Sequence, residues 1–299
     1  SIGCALIVWN FTKDKKQTLS TLFHDISTPV FKHCIDFLDG DYEKQESTEG
    51  LTASMIKNSN QIMDLLKRDD IKLEEVCDYH IYPIADNDSP RLSSDRLEYT
   101  FMNGYKMNYG ICFSLADIKN VYEDLEIQMN EEGIPELGFK TLEIAEKFVS
   151  DASVLWPNWC DNRYKIVGQF YADTVKRLGE LGELTREDLY RYSEKEVIWI
   201  MRNSSDKSLS KIFKMFQEST CFSESDIKPS DDKYYVSFSC KKRYLNPLVN
   251  VNGQYKRIYE VSEVVKERID KFLSFETPKY AYFDFNFNDK KKMRKKKLY

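Results

Sequence analysis

Apolar residues recur at helical spacing over about the first 220 residues of the chain, and this pattern constrains the fold more than any other feature. Residues three or four positions apart lie on the same face of an α-helix, so each series of this kind predicts a helix. Two such series are Ile2, Ala5, Leu6 and Trp9, and Val121, Leu125 and Met129. Because this region shows no long strand-like alternation, we predict a mainly α-helical body.

The pattern changes after about residue 231, where the chain becomes rich in tyrosine, phenylalanine and valine. Partial alternation of such residues is typical of β-strands. It occurs in "KYYVSFSC", "QYKRIYEV" and "YAYFDFNF", and the segment "SEVVKERIDKFLSF" between the last two has helical spacing. We therefore predict a helical domain of residues 1–222, followed by a small α+β appendage of residues 223–299.

The composition excludes several classes of protein. Hydrophobic residues make up 41% of the chain and charged residues 31%, which excludes a disordered or fibrous protein. The apolar run "IGCALIVW" is much shorter than the roughly 20 residues that a membrane span requires, and no basic segment precedes it. We expect a cytoplasmic protein without a membrane partner. The seven cysteines are at least nineteen residues apart, so we interpret them as reduced thiols used in packing.

The charge of the chain is unevenly distributed. The net charge is −5, although the segment "KKKMRKKK" near the carboxyl end carries seven positive charges, so the rest of the chain is strongly acidic. An acidic body repels duplex nucleic acid, which we therefore exclude as a partner. We interpret the basic tail as a solvated terminus.

Two of the three histidines lie nine residues apart in the stretch "LFHDISTPVFKH". Leu19, Leu22 and Phe23 predict the buried side of a short helix, which would leave His24 and Asp25 at its carboxyl end. An adjacent imidazole and carboxylate suit Mn, Fe, Zn or Co better than Ca or Mg.

The second histidine of this stretch has its own acidic partner. A helix from Pro29 to about Leu38 would place His33 and Asp36 on one face, three residues apart. A carboxylate in that position can orient an imidazole for proton transfer. The alternative is an ordinary hydrogen bond at the surface.

The segment "DRLEY" carries a third group of polar residues. Ser93 or Ser94 can cap a helix that presents Asp95 and Tyr99 on one face, with Arg96 beside them for a phosphate. Alternatively, Asp95 is a first-turn carboxylate that the helix dipole favours.

The stretch "LFHDISTPVFKH" resembles the signature of the HD-domain metal-dependent phosphohydrolases, and it is most similar to their deoxynucleotide triphosphohydrolase branch. The resemblance covers residues 1–104. It implies that His24 and Asp25 bind metal, that His33 belongs to the active site, and that Asp95 of "DRLEY" completes the ligand set. It also implies a histidine ligand just before Ser1, so we expect that this ligand precedes the sequence.

Two positions depart from the pattern that the resemblance implies. Thr28 and Thr48 occupy positions where this branch usually has histidines, whereas Glu49 is retained. We interpret Thr48 as a helix cap. Both replaced histidines would have been proton donors, so the departures leave metal binding in place and put triphosphohydrolase activity in question.

The resemblance implies a metal-activated water that attacks phosphorus, with one or two divalent ions such as Mn, Fe, Zn, Co or Mg. In this hypothesis His33, oriented by Asp36, transfers a proton, and Glu49 positions a water or orients a histidine. Arg96 holds a phosphate oxygen, and Tyr99 lies beside a base or sugar. The substrate would be a nucleotide or another phosphate ester, and we expect a homodimer or a larger oligomer. The alternatives are a catalytically impaired HD-fold protein that binds or senses a nucleotide, and an oligomeric scaffold.

Overall fold

The computed structural model describes residues 1–40, 49–106, 112–239 and 241–287. It confirms the predicted fold class, because the described residues are mainly helical, with 54% helix, and form small sheets that include a C-terminal β region. The helices of the described residues are α1 (Ile2–Thr12), α2 (Lys15–Phe23), α3 (Lys32–Asp39), α4 (Thr52–Asn58), α5 (Asn60–Arg68), α6 (Ser94–Lys106), α7 (Leu115–Asp124), α8 (Leu142–Ala152), α9 (Asn162–Glu180), α10 (Glu194–Arg202), α11 (Lys207–Glu218), α12 (Ile258–Val261) and α13 (Glu263–Leu273). The strands are β1 (Leu125–Met129), β2 (Pro135–Phe139), β3 (Ser223–Ser225), β4 (Tyr234–Val236), β5 (Leu248–Val251), β6 (Gln254–Arg257) and β7 (Tyr280–Phe283).

Contacts between residues divide the chain into two compact units, each built from three separate segments. The first unit comprises the described parts of Ser1–Ser27, Glu49–Trp159 and Lys242–Phe275. The second comprises those of Thr28–Thr48, Cys160–Lys241 and Glu276–Tyr299. The change in composition predicts a domain boundary at residue 223, but this residue lies inside the second unit. Packing therefore divides the chain at other positions.

The first unit contains a four-stranded sheet with the strand order β1, β2, β5, β6. Strand β1 pairs antiparallel with β2, from Leu125 opposite Phe139 to Met129 opposite Pro135. The prediction that Leu125 and Met129 continue a helix is therefore wrong, because α7 ends at Asp124. A spacing of four residues places two side chains on one face of a helix and also on one face of a strand, so this pair did not distinguish the two structures.

Helix α1 packs against α2 and α6 in the first unit. Its buried residues are Cys4, Ala5, Ile7 and Val8, whereas Ile2, Leu6 and Trp9 are exposed. The predicted helix is confirmed, but the face that it buries differs from the expected series. Since almost every residue of the segment is apolar, hydrophobicity does not select one face, and contacts with α2 and α6 do.

The second unit places α3 against α9. Helix α3 begins at Lys32, later than the predicted start at Pro29, because Phe31 adopts a positive φ of 59° that cannot continue a right-handed helix. A three-stranded sheet with the order β3, β7, β4 completes the unit. Phe170 on α9 lies in its core and contacts the ring of Phe283 on β7 at 6.2 Å between centroids.

The structure confirms the elements that the aromatic C-terminal segments predict. The three strand-like segments contain β4, β6 and β7, although the second half of "QYKRIYEV" forms the short helix α12. The helical segment between the last two forms α13. In the part of the chain that the structure describes, no helix combines the length and the apolarity that crossing a membrane requires.

Candidate metal centre

His24 immediately follows α2 and is fixed by the packing of that helix. Asp14 caps the helix, since its side chain accepts hydrogen bonds from the backbone nitrogens of Lys16 and Gln17. Leu19 and Phe23 pack against a buried cluster of four residues, Ile56, Leu66, Ile71 and Val76. The predicted helix and the packing of Leu19 and Phe23 are confirmed, but Leu22 is exposed and does not belong to the buried side. The carboxyl end of the helix places His24 in the interior with 8% of its surface exposed.

One ring nitrogen of His24 is held by the backbone. Nδ1 lies 2.6 Å from the carbonyl oxygen of Thr21, and because a carbonyl can only accept, Nδ1 donates the proton. In the neutral imidazole, Nε2 then carries the free electron pair that a metal ligand needs. Nε2 faces two carboxylates, with Oδ2 of Asp25 at 3.0 Å and Oδ1 of Asp95 at 3.6 Å.

The charge state of His24 depends on these partners. Burial alone lowers the pKa of the imidazole, but the hydrogen bond and charge of Asp25, together with the Thr21 carbonyl and Asp95, raise the pKa above its ordinary value. The surroundings therefore favour a positive charge at Nε2, which is the position that a bound cation would occupy.

Asp95 lies in the first turn of α6, where several hydrogen bonds fix the helix end. The hydroxyl of Ser93 accepts from the backbone nitrogen of Arg96 at 3.3 Å, which confirms a capping role for Ser93. The hydroxyl of Ser94 donates to the carbonyl of Ala85 at 3.0 Å. These contacts hold the Asp95 carboxylate beside His24, and its side chain remains 28% exposed.

Cys4 joins this group, although no pattern in the sequence indicates it. Its Sγ lies 3.7 Å from Oδ1 of Asp95 and is almost fully buried. One ligand atom each of Cys4, His24 and Asp95 all lie within 4.8 Å of one another. Burial, and then the charges of Asp95 and Glu98, raise the pKa of the thiol, so it is protonated and donates to Asp95.

Asp25 contacts the group from the side of His24. Besides its 3.0 Å contact with Nε2, Oδ2 accepts a hydrogen bond from the hydroxyl of Ser1 at 3.1 Å. The Asp25 side chain is 31% exposed. Both predicted carboxylates, Asp25 and Asp95, thus lie next to the same nitrogen of His24. Asp25 does not belong to the group of converging ligand atoms, which consists of Cys4, His24 and Asp95.

Arg96 lies in the first turn of α6 and is bound to the loop that precedes this helix. Its Nε donates to the carbonyl of Arg91 at 2.8 Å, Nη1 to Asp86 at 2.8 Å, and Nη2 to Asn87 at 2.9 Å. All three nitrogens of the guanidinium therefore have a protein acceptor, and the residue is 8% exposed. This arrangement stabilises the loop that precedes α6, and a phosphate would have to compete with it.

Tyr99 lies one turn after Asp95 and is half-buried. Its ring contacts Trp159 edge to face, with 5.4 Å between centroids. Burial raises the pKa of the Tyr99 phenol to about 12, so the hydroxyl is neutral. The side chain is a packing element in the first unit, and its predicted contact with substrate stays a prediction.

The remaining predicted residues are placed only in part. Asp36 lies on α3 in the second unit and is fully buried, so it is not a surface residue as the alternative supposed. The side chains of His33 and Glu49 lie outside the described residues, as does Thr48. The proposed pairing of His33 with Asp36, and the role of Glu49, stay predictions. Thr28 is exposed.

Sequence comparisons and structural comparisons give different results. No family model matches the chain, and no curated protein matches it. A crystal structure of a hypothetical protein from Aquifex aeolicus is similar, with a TM-score of 0.59 and 17% sequence identity, over 93% of this chain and 79% of that chain. At this identity the similarity shows a shared fold, and it carries no information about activity.

Proposed function

We propose that this protein is a metal-dependent phosphohydrolase with the HD-type arrangement that the sequence resembles. One observation carries the proposal, namely that His24 directs Nε2 toward Asp25 and Asp95, at 3.0 and 3.6 Å, while Nδ1 is held by a backbone carbonyl. A neutral imidazole nitrogen beside two carboxylates is a donor set of the kind that binds divalent metal ions.

The donor set fits a metal ion of the Mn, Fe, Zn or Co type better than Ca or Mg, because nitrogen is among its ligands. His24, Asp25 and Asp95 would hold the ion. A bound divalent ion supplies a more acidic water and neutralises phosphate charge. The protein fixes the imidazole through Thr21 and fixes Asp95 through the capped start of α6, so the ligands are oriented before binding.

The proposed reaction is the hydrolysis of a nucleotide or another phosphate ester. His33, positioned by Asp36, would transfer a proton, and Glu49 would orient a water, as the resemblance implies. We leave Arg96 out of the phosphate contact, since its three nitrogens already have acceptors. The proposal includes a cytoplasmic location and a homodimer or larger assembly.

The test is a hydrolysis assay on a panel of nucleotides and simple phosphate esters, with Mn²⁺, Co²⁺, Zn²⁺ or Mg²⁺ added separately. We expect release of phosphate or pyrophosphate that is lost in Asp25→Ala and Asp95→Ala. Asp78→Ala is the matched control, because Asp78 also contacts a histidine but lies outside the proposed ligand set. Turnover that survives in both ligand variants would contradict the proposal.

A second function, nucleotide binding without turnover, is favoured by one observation. Thr28 stands where the resemblance implies a proton-donating histidine, and a threonine hydroxyl cannot take that role near neutral pH. Tight binding of a nucleotide by the metal-loaded protein, with no release of phosphate from any member of the panel, would support this function over hydrolysis.

A further inference from the structure

We infer that Cys4 is a ligand of the same metal site, so that the site binds its ion through sulfur, nitrogen and oxygen together. The inference rests on the proposed function only for the presence of a metal ion at His24 and Asp95. It adds a ligand that the resemblance does not imply, and it narrows the identity of the ion.

The distances agree with a shared ion. In a tetrahedral zinc site, bonds of about 2.0–2.3 Å place neighbouring ligand atoms about 3.3–3.5 Å apart. Here Asp95 Oδ1 lies 3.7 Å from Cys4 Sγ and 3.6 Å from His24 Nε2, and all three ligand atoms lie within 4.8 Å of one another.

Three separate helical elements fix these ligands. Cys4 lies on α1, His24 follows α2, and Asp95 lies in the first turn of α6. Helices α1 and α6 approach so closely that a Cβ atom added at Gly3 would lie 2.7 Å from Cγ of Glu98. The position of the thiol relative to Asp95 is therefore set by helix packing.

Ligation by Cys4 has a defined proton balance. The thiol that now donates to Asp95 releases its proton to solvent, the hydrogen bond is lost, and the sulfur gives an electron pair to the ion. Asp95 loses a hydrogen-bond donor and gains the cation. Because both carboxylates lie close to Nε2 of His24, the positive charge of the ion would replace these contacts without leaving an unpaired anion.

A sulfur ligand selects the ion. Thiolates favour borderline and soft ions such as Zn²⁺, Co²⁺ and Cd²⁺, whereas Mg²⁺ requires oxygen ligands. We therefore expect Zn²⁺ or Co²⁺ to bind at least 100-fold more tightly than Mg²⁺, and this preference should shrink when the sulfur is replaced by oxygen in Cys4→Ser.

The experiment titrates the full chain with Co²⁺ and records two regions of the absorption spectrum. Visible bands report a cobalt ion bound by any of the ligands, and a near-ultraviolet charge-transfer band reports a bond to thiolate. Wild type should show both, and Cys4→Ser should keep the visible bands and lose the thiolate band. Cys160→Ser is the matched control, because Cys160 is also buried but does not belong to the group.

A second measurement does not depend on the folding of any variant. X-ray absorption of the zinc-loaded wild-type protein should show one sulfur neighbour at about 2.3 Å, together with nitrogen or oxygen neighbours at about 2.0–2.2 Å. Visible cobalt bands without a thiolate band, or a zinc shell without sulfur, would overturn the role of Cys4 and leave the proposed metal centre standing. A wild-type chain that binds neither ion would overturn both.

Discussion

His24 and His80 have similar partners in the first unit and differ in what surrounds them. Both rings contact Tyr79, at 4.7 Å for His24 and 4.3 Å for His80. Both lie near two aspartates, since His80 places Nδ1 3.0 Å from Asp78 and Nε2 3.6 Å from Asp86. The side chain of His24 is 5% exposed, whereas that of His80 is 42% exposed.

The orientation of the ring separates the two histidines. His24 gives one nitrogen to a backbone carbonyl and turns the other toward both of its carboxylates. His80 turns one nitrogen toward each carboxylate, and Asp86 is already paired with Arg96 at 2.8 Å. Within the described residues, His80 belongs to no group of three potential metal ligands. Nearness to aspartate therefore does not distinguish the two histidines, whereas convergence of potential ligand atoms does.

The largest expected effect is on metal affinity. His24→Ala should weaken Co²⁺ binding by about 100-fold or more, because even residues that only support a ligand contribute about 10–100-fold. His80→Ala should change the affinity by less than about threefold, since both of its nitrogens face other partners. Calorimetric titration measures both. Comparable losses in the two variants would show that the two groups act as one site.

Metal should also stabilise the fold, and it should do so through the group around His24 and not through the group around His80. With free Zn²⁺ at about 100 times its dissociation constant, the free energy of unfolding should rise by about 2.7 kcal/mol, and a chelator should reverse the gain. Urea unfolding with and without Zn²⁺ measures this change in the free energy of unfolding. The gain should disappear in Asp95→Asn and persist in Asp78→Asn. If Asp78→Asn removes it as well, the ion is not bound at His24 and Asp95.

Tyr79 links the two histidines, and its ring contacts should have a moderate effect on stability. A double-mutant cycle with Tyr79→Leu and His80→Ala should give a coupling of about 0.5–1.5 kcal/mol in the free energy of unfolding. His80 is exposed enough for its removal to leave the fold intact. A cycle of Tyr105→Leu with His80→Ala is the control, and its coupling should be near zero.

The smallest expected effect is a pH dependence of the metal-free protein. Because its partners raise the pKa of His24, protonation stabilises the folded state below the ordinary pKa of histidine, and this stabilisation is lost as the pH rises through the raised value. In the presence of a chelator, the free energy of unfolding should fall over that range in wild type, and the fall should be smaller in His24→Gln. An unchanged slope in the variant would assign the effect to another group.

Local patterns were enough to predict much of this site. The apolar residues of α2 predict that His24 follows that helix. The serines at the start of α6 predict that Asp95 lies in the first turn of the other helix. The resemblance then indicated that these residues meet. The contact between Arg96 and Asp86 could not be predicted from such patterns. Asp86 lies ten residues earlier, in an irregular loop that periodicity does not describe.

The sequence alone determined the helical class of the fold, the C-terminal strands and the local setting of His24, Asp25 and Asp95, because caps and apolar spacing act over a few residues. Tertiary structure decided which face of α1 is buried, and with it the contact between Cys4 and Asp95. These two residues are 91 positions apart. The contact depends on how helices pack against one another, and no spacing within a single helix contains that information.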